Sequence, residues 1–231
     1  MPKVAIVTGA SRGIGKETCR ALAQKRHTVI AVARSEEKLK DLERENPSYV
    51  KAVPTDLTNP DEINKLNEII RNNYHGIDIL VNNAGTLINK PFRELSLDDW
   101  RSQIDSNLMS AVAISKKLLP LFNKPAHVVN ISSMGGFQGS VKFPGLTAYS
   151  VSKGALSIFT ECLAAELKDK KIGVNALCLG AVQTEMLKEA FPGIAAPVNP
   201  GEMGEYIADF ASTGHRFYNG KILPVALEDP E

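Results

Sequence analysis

Residues 3–25 read KVAIVTGASRGIGKETCRALAQK, and this stretch decides the fold. KVAIVTG (3–9) is a short β-branched run that stops on glycine, and GIGKETCRALAQK (13–25) is helix-like. Their junction, TGASRGIG (8–15), carries Gly9, Gly13 and Gly15, with Ser11, Arg12 and Ile14 among them. Glycine lets a backbone turn sharply and approach a ligand closely. The helix start beyond it offers free N–H groups and the positive end of the helix dipole. Strand, glycine turn and helix in that order describe a pyrophosphate site. The spacing is G-x-x-x-G-x-G, where the commonest dinucleotide fingerprint is G-x-G-x-x-G. A glycine turn without a ligand is the alternative, and a place after the first strand of a βαβ unit favours the cofactor.

The same alternation runs outward along the chain. HTVIAVAR (27–34), YVKAVPTDL (49–57), IDILVNNAG (77–85), AHVVNISS (126–133), KIGVNALCLG (171–180) and GKILPVA (220–226) read as buried strands. Between them lie helical patterns: SEEKLKDLERE (35–45) with Ser35 as a cap candidate, and DEINKLNEIIRNNY (61–74) behind Asn59 and Pro60. One long helix is expected over 96–122, opened by a capping box of Ser96 and Asp99. A helix from TAYSVSKGALSIF onward ends near Lys168, a loop covers 185–200, and a last helix spans 201–212. Strand and helix in repeated alternation imply right-handed crossovers. The expected fold is a single α/β Rossmann-type domain over residues 1–231, a doubly wound parallel sheet of about seven strands with helices on both faces.

Composition narrows the function. The 231 residues are 43% hydrophobic, enough for one substantial core, and the net charge of +1 gives no pull toward nucleic acid or anionic membrane. Cys19, Cys162 and Cys178 lack CxxC spacing and are expected to be buried free thiols in a reducing compartment. His27, His75, His127 and His215 are scattered singly, so no metal site is expected. The chain opens directly into a strand-like run and has no apolar run of spanning length, so a cytoplasmic location is the expectation.

In such a sheet, ligands bind beyond the carboxyl ends of the strands. The second strand ends at Arg34, where an NAD-preferring site places an acidic residue; none occurs before Glu36. Arg12 and Arg34 can clamp a 2′-phosphate through charge-assisted hydrogen bonds, or can be two solvated surface arginines. Tyr149 and Lys153 are four residues apart and share a helix face, a spacing that on its own suits a wet surface pair.

Taken together, the motifs resemble the short-chain dehydrogenase/reductase family of the classical type. They are T-G-x-x-x-G-x-G at 8–15, Asp56-Leu57, N-N-A-G at 82–85, Asn107, Ser133, Y-x-x-x-K at 149–153, and Gly180 with Thr184. The resemblance covers almost the whole chain. It implies hydride transfer between NADP(H) and a small carbonyl/alcohol substrate, of carbonyl or 3-oxoacyl type, in a homodimer or homotetramer. It implies Tyr149 as the acid/base, with a pKa lowered by Lys153 and by the oxidised cofactor. Lys153 would also hold the ribose, Ser133 (with Ser132 as its rival) the substrate oxygen, and Asn107 a water that links Lys153 to solvent. Asn107 can otherwise be a buried amide that satisfies backbone.

On the cofactor side the resemblance implies Gly9, Ser11, Arg12, Gly13, Ile14, Gly15, Arg34, Asp56, Leu57, Asn83, Ala84, Gly85, Gly180, Val182 and Thr184. Asp56 would accept from the adenine amino group, and the same residue can also cap the following helix. Three departures stand out: Cys178-Leu179-Gly180 lacks the family's proline, the loop between Ser133 and Tyr149 is about three residues longer than usual, and the tail FYNGKILPVALEDPE lacks the usual glycine pair. A cofactor-binding sensor without turnover and an epimerase of the same fold are the competing functions. The sequence leaves the substrate open among ketoacyl thioesters, sugars, steroids and simple ketones.

Overall fold

Seven short apolar runs become seven parallel strands in a computed structural model that describes residues 2–227. They are β1 (Val4–Thr8), β2 (Thr28–Ala33), β3 (Val50–Pro54), β4 (Ile77–Asn82), β5 (Phe122–Ser133), β6 (Ile172–Leu179) and β7 (Ile222–Val225). Their order across the sheet is β3-β2-β1-β4-β5-β6-β7, parallel throughout. The chain winds from β1 out to β3, then returns to start β4 on the other side of β1. That reversal puts a crevice at the carboxyl ends of β1 and β4, where the glycine turn and the N-N-A-G run emerge. The last four residues of the tail lie outside the described residues.

Side chains alternate across the sheet and feed two cores. Ala5 and Val7 of β1 pack with Leu22, Leu39, Ile207 and Phe210 on one face, while Ile6 packs with Leu66, Ile70, Ile114 and Leu118 on the other. The first layer comes from α1 (Gly13–Gln24), α2 (Glu36–Glu45) and α8 (Pro200–Thr213); the second from α3 (Pro60–Asn73), α5 (Ser110–Leu118) and α6 (Thr147–Leu167). Two short stretches complete the set, α4 (Leu97–Ile104) and α7 (Glu185–Ala190).

Side-chain caps close four of the eight α-helix starts among the described residues, those of α3, α4, α7 and α8. Asn59 accepts from the Asp61 N–H at 3.0 Å, with Pro60 at the first helical position. Ser96 and Asp99 form the reciprocal capping box. Ser35 stands at the cap position of α2, but its side chain makes no capping bond.

The long helix over 96–122 is broken. A π turn, Asp105–Met109, separates α4 from α5, and Leu119–Leu121 tightens into a 3₁₀ turn at Pro120. The extra residue of the π turn belongs to the segment that places Asn107 under the site. The loop over 185–200 contains α7, which Thr184 caps by accepting from Leu187 N–H at 3.2 Å. One expectation is corrected: Cys19 and Cys178 are buried thiols, but Cys162 is exposed, because its position on α6 points away from the sheet. No helix among the described residues is long and apolar enough to cross a membrane.

Candidate active site

The glycine turn lies against the exit of β4 because it lacks side chains there. Gly9 has φ +67°, and a Cβ on it would stand 2.8 Å from Asn83 Nδ2; one on Gly15 would stand 2.3 Å from the Gly9 carbonyl oxygen. Thr8, buried at the end of β1, ties the two segments together. Its Oγ1 accepts from the N–H groups of Asn83 and Ala84, both at 2.9 Å, and Asn83 Nδ2 donates to the Thr8 carbonyl at 3.0 Å. The Asn83 side chain is therefore a fastener within the protein. Thr8 opens the motif at 8–15, but this fastening role is not one the motif assigns to it. Its signal is a hydroxyl in an otherwise apolar buried strand, which needs a partner.

The start of α1 is open. Arg12 holds the N-cap position without capping through its side chain, and Gly13 and Ile14 line the cleft. The first-turn N–H groups thus have no side-chain cap from that residue, which suits an anionic ligand. The cleft has a volume of about 1270 Å³ and runs from Gly9, Ser11, Arg12, Arg34, Asp56 and Leu57 to Ser133, Tyr149 and Lys153. Small-molecule pockets occupy roughly 300–1,000 Å³. The uncapped helix start, the glycine turn and this length fit a dinucleotide with room for a second small molecule.

At the far end, α6 places Tyr149 and Lys153 one turn apart, and Lys153 Nζ lies 5.9 Å from the Tyr149 ring centroid. Lys153 is buried, and Nζ donates to the Ile131 carbonyl at 2.8 Å. Burial pulls its ammonium down to about 8. Burial pushes the Tyr149 phenol above its ordinary value, and the neighbouring Ser133 hydroxyl only partly offsets this. The lowered phenol expected from Lys153 is thus not a property of the protein residues alone. Desolvation outweighs the stabilising partners, and the remaining source of depression in that reading is the charge of the oxidised cofactor.

The two serines of β5 separate by direction. Ser132 is buried and tied down, its Oγ donating to the Lys153 carbonyl at 2.9 Å with Ser157 Oγ at 3.3 Å. Ser133, at the next position and so on the opposite face, stands beside Tyr149 and accepts from Gly135 N–H at 3.2 Å. Asn107 is buried under both helices. Its Oδ1 accepts from Thr86 N–H at 2.8 Å; its Nδ2 donates to the Thr86 carbonyl at 3.0 Å and to Ser152 Oγ at 2.9 Å. The buried-amide reading of Asn107 is therefore met by the side chain. Gly85 packs on this knot, since a Cβ there would reach within 2.7 Å of Asn107 Oδ1.

At the other end, Asp56 Oδ1 accepts from Thr58 N–H at 2.9 Å and Thr58 Oγ1 at 2.7 Å. Those bonds, with help from the charge of Arg34, hold its carboxyl below the usual range. Asp56 closes a turn at Thr58, while the cap of α3 is Asn59, so the capping role for Asp56 is corrected by one turn. Arg34 is exposed at the cleft edge. Arg12 instead reaches to α7, where Nη1 meets Glu185 Oε2 at 3.0 Å and Glu189 Oε1 at 3.3 Å.

Gly180, Val182 and Thr184 follow β6 along the cleft wall, and Val182 pairs in a single bridge with Val198. A Cβ on Gly180 would meet the Ala226 side chain at 2.8 Å, so this glycine lets β7 close over the turn.

Three loops frame the remaining opening. Asn89 Nδ2 donates to the Ala190 carbonyl at 2.8 Å, and Lys90 N–H donates to the Gly145 carbonyl at 2.9 Å. Leu87, Met134, Phe143, Leu146, Met186, Leu187, Phe191 and Ile194 give this end an apolar wall. Among the described residues, the charged ones that line the cleft are Arg12, Arg34, Asp56, Lys153 and Glu185.

Known proteins are similar to this chain in sequence. The sequence profile of the family described as short chain dehydrogenase matches residues 3–195. An uncharacterized oxidoreductase of Staphylococcus aureus strain USA300 is 31% identical over 208 residues, 89% of this chain and 89% of that protein. The 3-oxoacyl-[acyl-carrier-protein] reductase FabG of Aquifex aeolicus strain VF5 is 40% identical over 190 residues, 80% of this chain and 75% of that protein.

Proposed function

The chain belongs to the short-chain dehydrogenase family, and from that premise we propose that it reduces a carbonyl to an alcohol with NADPH. Members of this family are oxidoreductases that use NAD or NADP. The observation that carries the finer reading is one cleft with Ser133, Tyr149 and Lys153 at one end and Arg12 and Arg34 beside the glycine turn at the other. Two guanidiniums and no carboxylate at the end of β2 suit a 2′-phosphate.

Gly9, Ser11, Gly13, Ile14 and Gly15 would hold the pyrophosphate, with Asp56, Leu57, Asn83, Ala84 and Gly85 along the adenosine side and Gly180, Val182 and Thr184 along the nicotinamide side. When bound, the cofactor supplies the hydride that attacks the carbonyl carbon. The protein supplies alignment and the proton. Ser133 donates a hydrogen bond to the substrate oxygen and holds it beside the phenol. As negative charge gathers on that oxygen, Tyr149 transfers its hydroxyl proton to it, which completes the alcohol. The ammonium of Lys153 stabilises the phenolate left behind. Asn107 fixes the helix on which both residues stand.

The apolar wall of Leu87, Met134, Phe143, Leu146, Met186, Leu187, Phe191 and Ile194 suits an uncharged carbonyl flanked by hydrocarbon. Together with the Aquifex relative, it supports a 3-oxoacyl-type substrate. We also assign a dimer to this chain, formed through α6 and through α5 with the π turn before it, where Met109, Val151 and Ile158 are exposed. NADPH oxidation measured across 3-oxoacyl thioesters, ketones, sugars and steroids tests the reading. Turnover with a 3-oxoacyl thioester or an apolar ketone is expected. NADPH binding without oxidation of any member would leave a cofactor sensor instead.

A further inference from the structure

Arg12 spans the cleft edge between the glycine turn and α7. Its Nη1 bridges two carboxylates, Glu185 at 3.0 Å and Glu189 at 3.3 Å. The two glutamates are four residues apart, so both belong to the face of α7 turned to this arginine. Thr184, the cap of α7, packs on the glycine turn itself: a Cβ on Gly13 would touch its Cγ2 at 3.5 Å. The contact with Arg12 holds the Glu185 carboxyl below its ordinary value.

One guanidinium therefore has two kinds of anion to serve. From these contacts we infer that Glu185 and Glu189 are determinants of cofactor specificity: they draw Arg12 onto α7 through Nη1, so a 2′-phosphorylated dinucleotide competes with them for its charge. This inference rests on the assignment of Arg12 and Arg34 to a 2′-phosphate. A dinucleotide without that phosphate leaves the Arg12 pairs intact. The carboxylates thus act against NADPH and not against NADH, and they narrow a preference that the arginines create. The exchange is of ionic partners only; no bond is made or broken. Arg12, Glu185 and Glu189 are all well exposed, with side-chain accessibilities of 42%, 57% and 68%. Solvent screens such pairs, so the phosphate wins the competition and the cost to its affinity is modest.

The test is a binding cycle on the full-length chain, with NADPH and NADH titrated by fluorescence into four proteins: the parent, E185Q/E189Q, R12A, and R12A combined with E185Q/E189Q. The inference expects the paired glutamines to tighten NADPH binding about three- to tenfold in the parent, leave NADH unchanged, and do nothing in the R12A background. Equal tightening in the R12A background would mean that the glutamates act as a general negative field, and would overturn the inference. No tightening in a parent that still favours NADPH over NADH would overturn it while leaving the 2′-phosphate assignment standing. A parent that binds NADH as tightly as NADPH, with R12A no different, would remove the assignment and the inference together.

Discussion

Asn107 and Ser152 are locked together at 2.9 Å, Nδ2 to Oγ, and Ser152 Oγ passes the bond on to the Tyr149 carbonyl at 2.7 Å. This short chain joins the π turn of one helix to the first turns of the helix that carries Tyr149 and Lys153. Because Thr86 occupies the rest of the Asn107 amide, the same knot fixes the loop that leaves β4. The geometry of the phenol and the ammonium is thus set from behind, by groups that do not face the cleft.

Lys153 is a site where stability and activity conflict. Its buried ammonium donates to one acceptor among the described residues, the Ile131 carbonyl, and its pKa of about 8 lies well below the ordinary 10.5. At neutral pH that difference amounts to roughly 3 kcal/mol against the folded state. Lys153→Met should therefore raise the unfolding midpoint at pH 7 while abolishing turnover. The sign also fixes a pH trend. Between pH 8 and 10.5 the unfolded chain binds the extra proton, so the parent gains stability there and the advantage of the variant shrinks. Urea unfolding at pH 7 and pH 9.5 measures both. A variant less stable than the parent at pH 7 would contradict the argument.

Arg34 stands where a carboxylate would read the ribose hydroxyls. Arg34→Asp should raise the NADPH KM by about tenfold or more and improve NADH use, as expected for loss of a charge-assisted bond to phosphate. Steady-state kinetics with both cofactors decides this. A parent that prefers NADH, or a variant with unchanged KM values, would sink the assignment.

The dimer has an equally direct check. Ile158 is 61% exposed on α6, so Ile158→Asp puts a charge into the proposed interface at no cost to the core. Light scattering at micromolar concentration should show a dimer for the parent and a monomer for the variant. A monomeric parent counts against the interface.

Acid should undock α8 before the rest of the sheet fails. His127 is buried, with Nδ1–H donating to the Ala211 carbonyl at 3.0 Å and Nε2 accepting from Asn175 at 3.0 Å, and burial lowers its pKa to about 3. His215, its ring tilted against His127 with centroids 5.4 Å apart, and His27 are also lowered by burial. Groups whose folded pKa is depressed contribute stability that is whole above about pH 6.5 and declines as pH falls toward 3. The slope is about 1.4 kcal/mol per pH unit for each histidine fully neutral in the fold. Chemical unfolding across pH 7 to 4 should show the decline beginning below pH 6.5. A flat profile between pH 6.5 and 5 would show that these rings titrate normally.

Much of this was legible beforehand, for identifiable reasons. Continuous apolar runs gave the strands, because a parallel sheet buried on both faces needs no polar alternation. Glycine and capping residues marked the turns, because left-handed backbone and orphan N–H groups have few solutions. Ser133, Tyr149 and Lys153 could be picked out by order and spacing, and the fold brings them to one place. What escaped was set by tertiary contacts. The π turn at Asp105–Met109 has no local signature; it exists where Asn107 meets Thr86 and Ser152. The role of Thr8 depends on β4 emerging beside β1. Arg12 was legible as a cation, but its partners lie more than 170 positions away. Cys162 belongs to an apolar helix whose pattern hides its outer face.

The central claim is that Tyr149 delivers the proton to the substrate oxygen, and Tyr149→Phe tests it most directly because it removes one oxygen and keeps the ring. The measurement is single-turnover oxidation of bound NADPH by a carbonyl that the parent reduces, with NADPH affinity determined on the same samples. The account predicts that the rate falls by about 10²–10⁴ or more, while NADPH affinity and the unfolding midpoint stay close to those of the parent. A variant that oxidises NADPH at nearly the parental rate would show that the phenol is only a residue on a helix and that the proton comes from elsewhere.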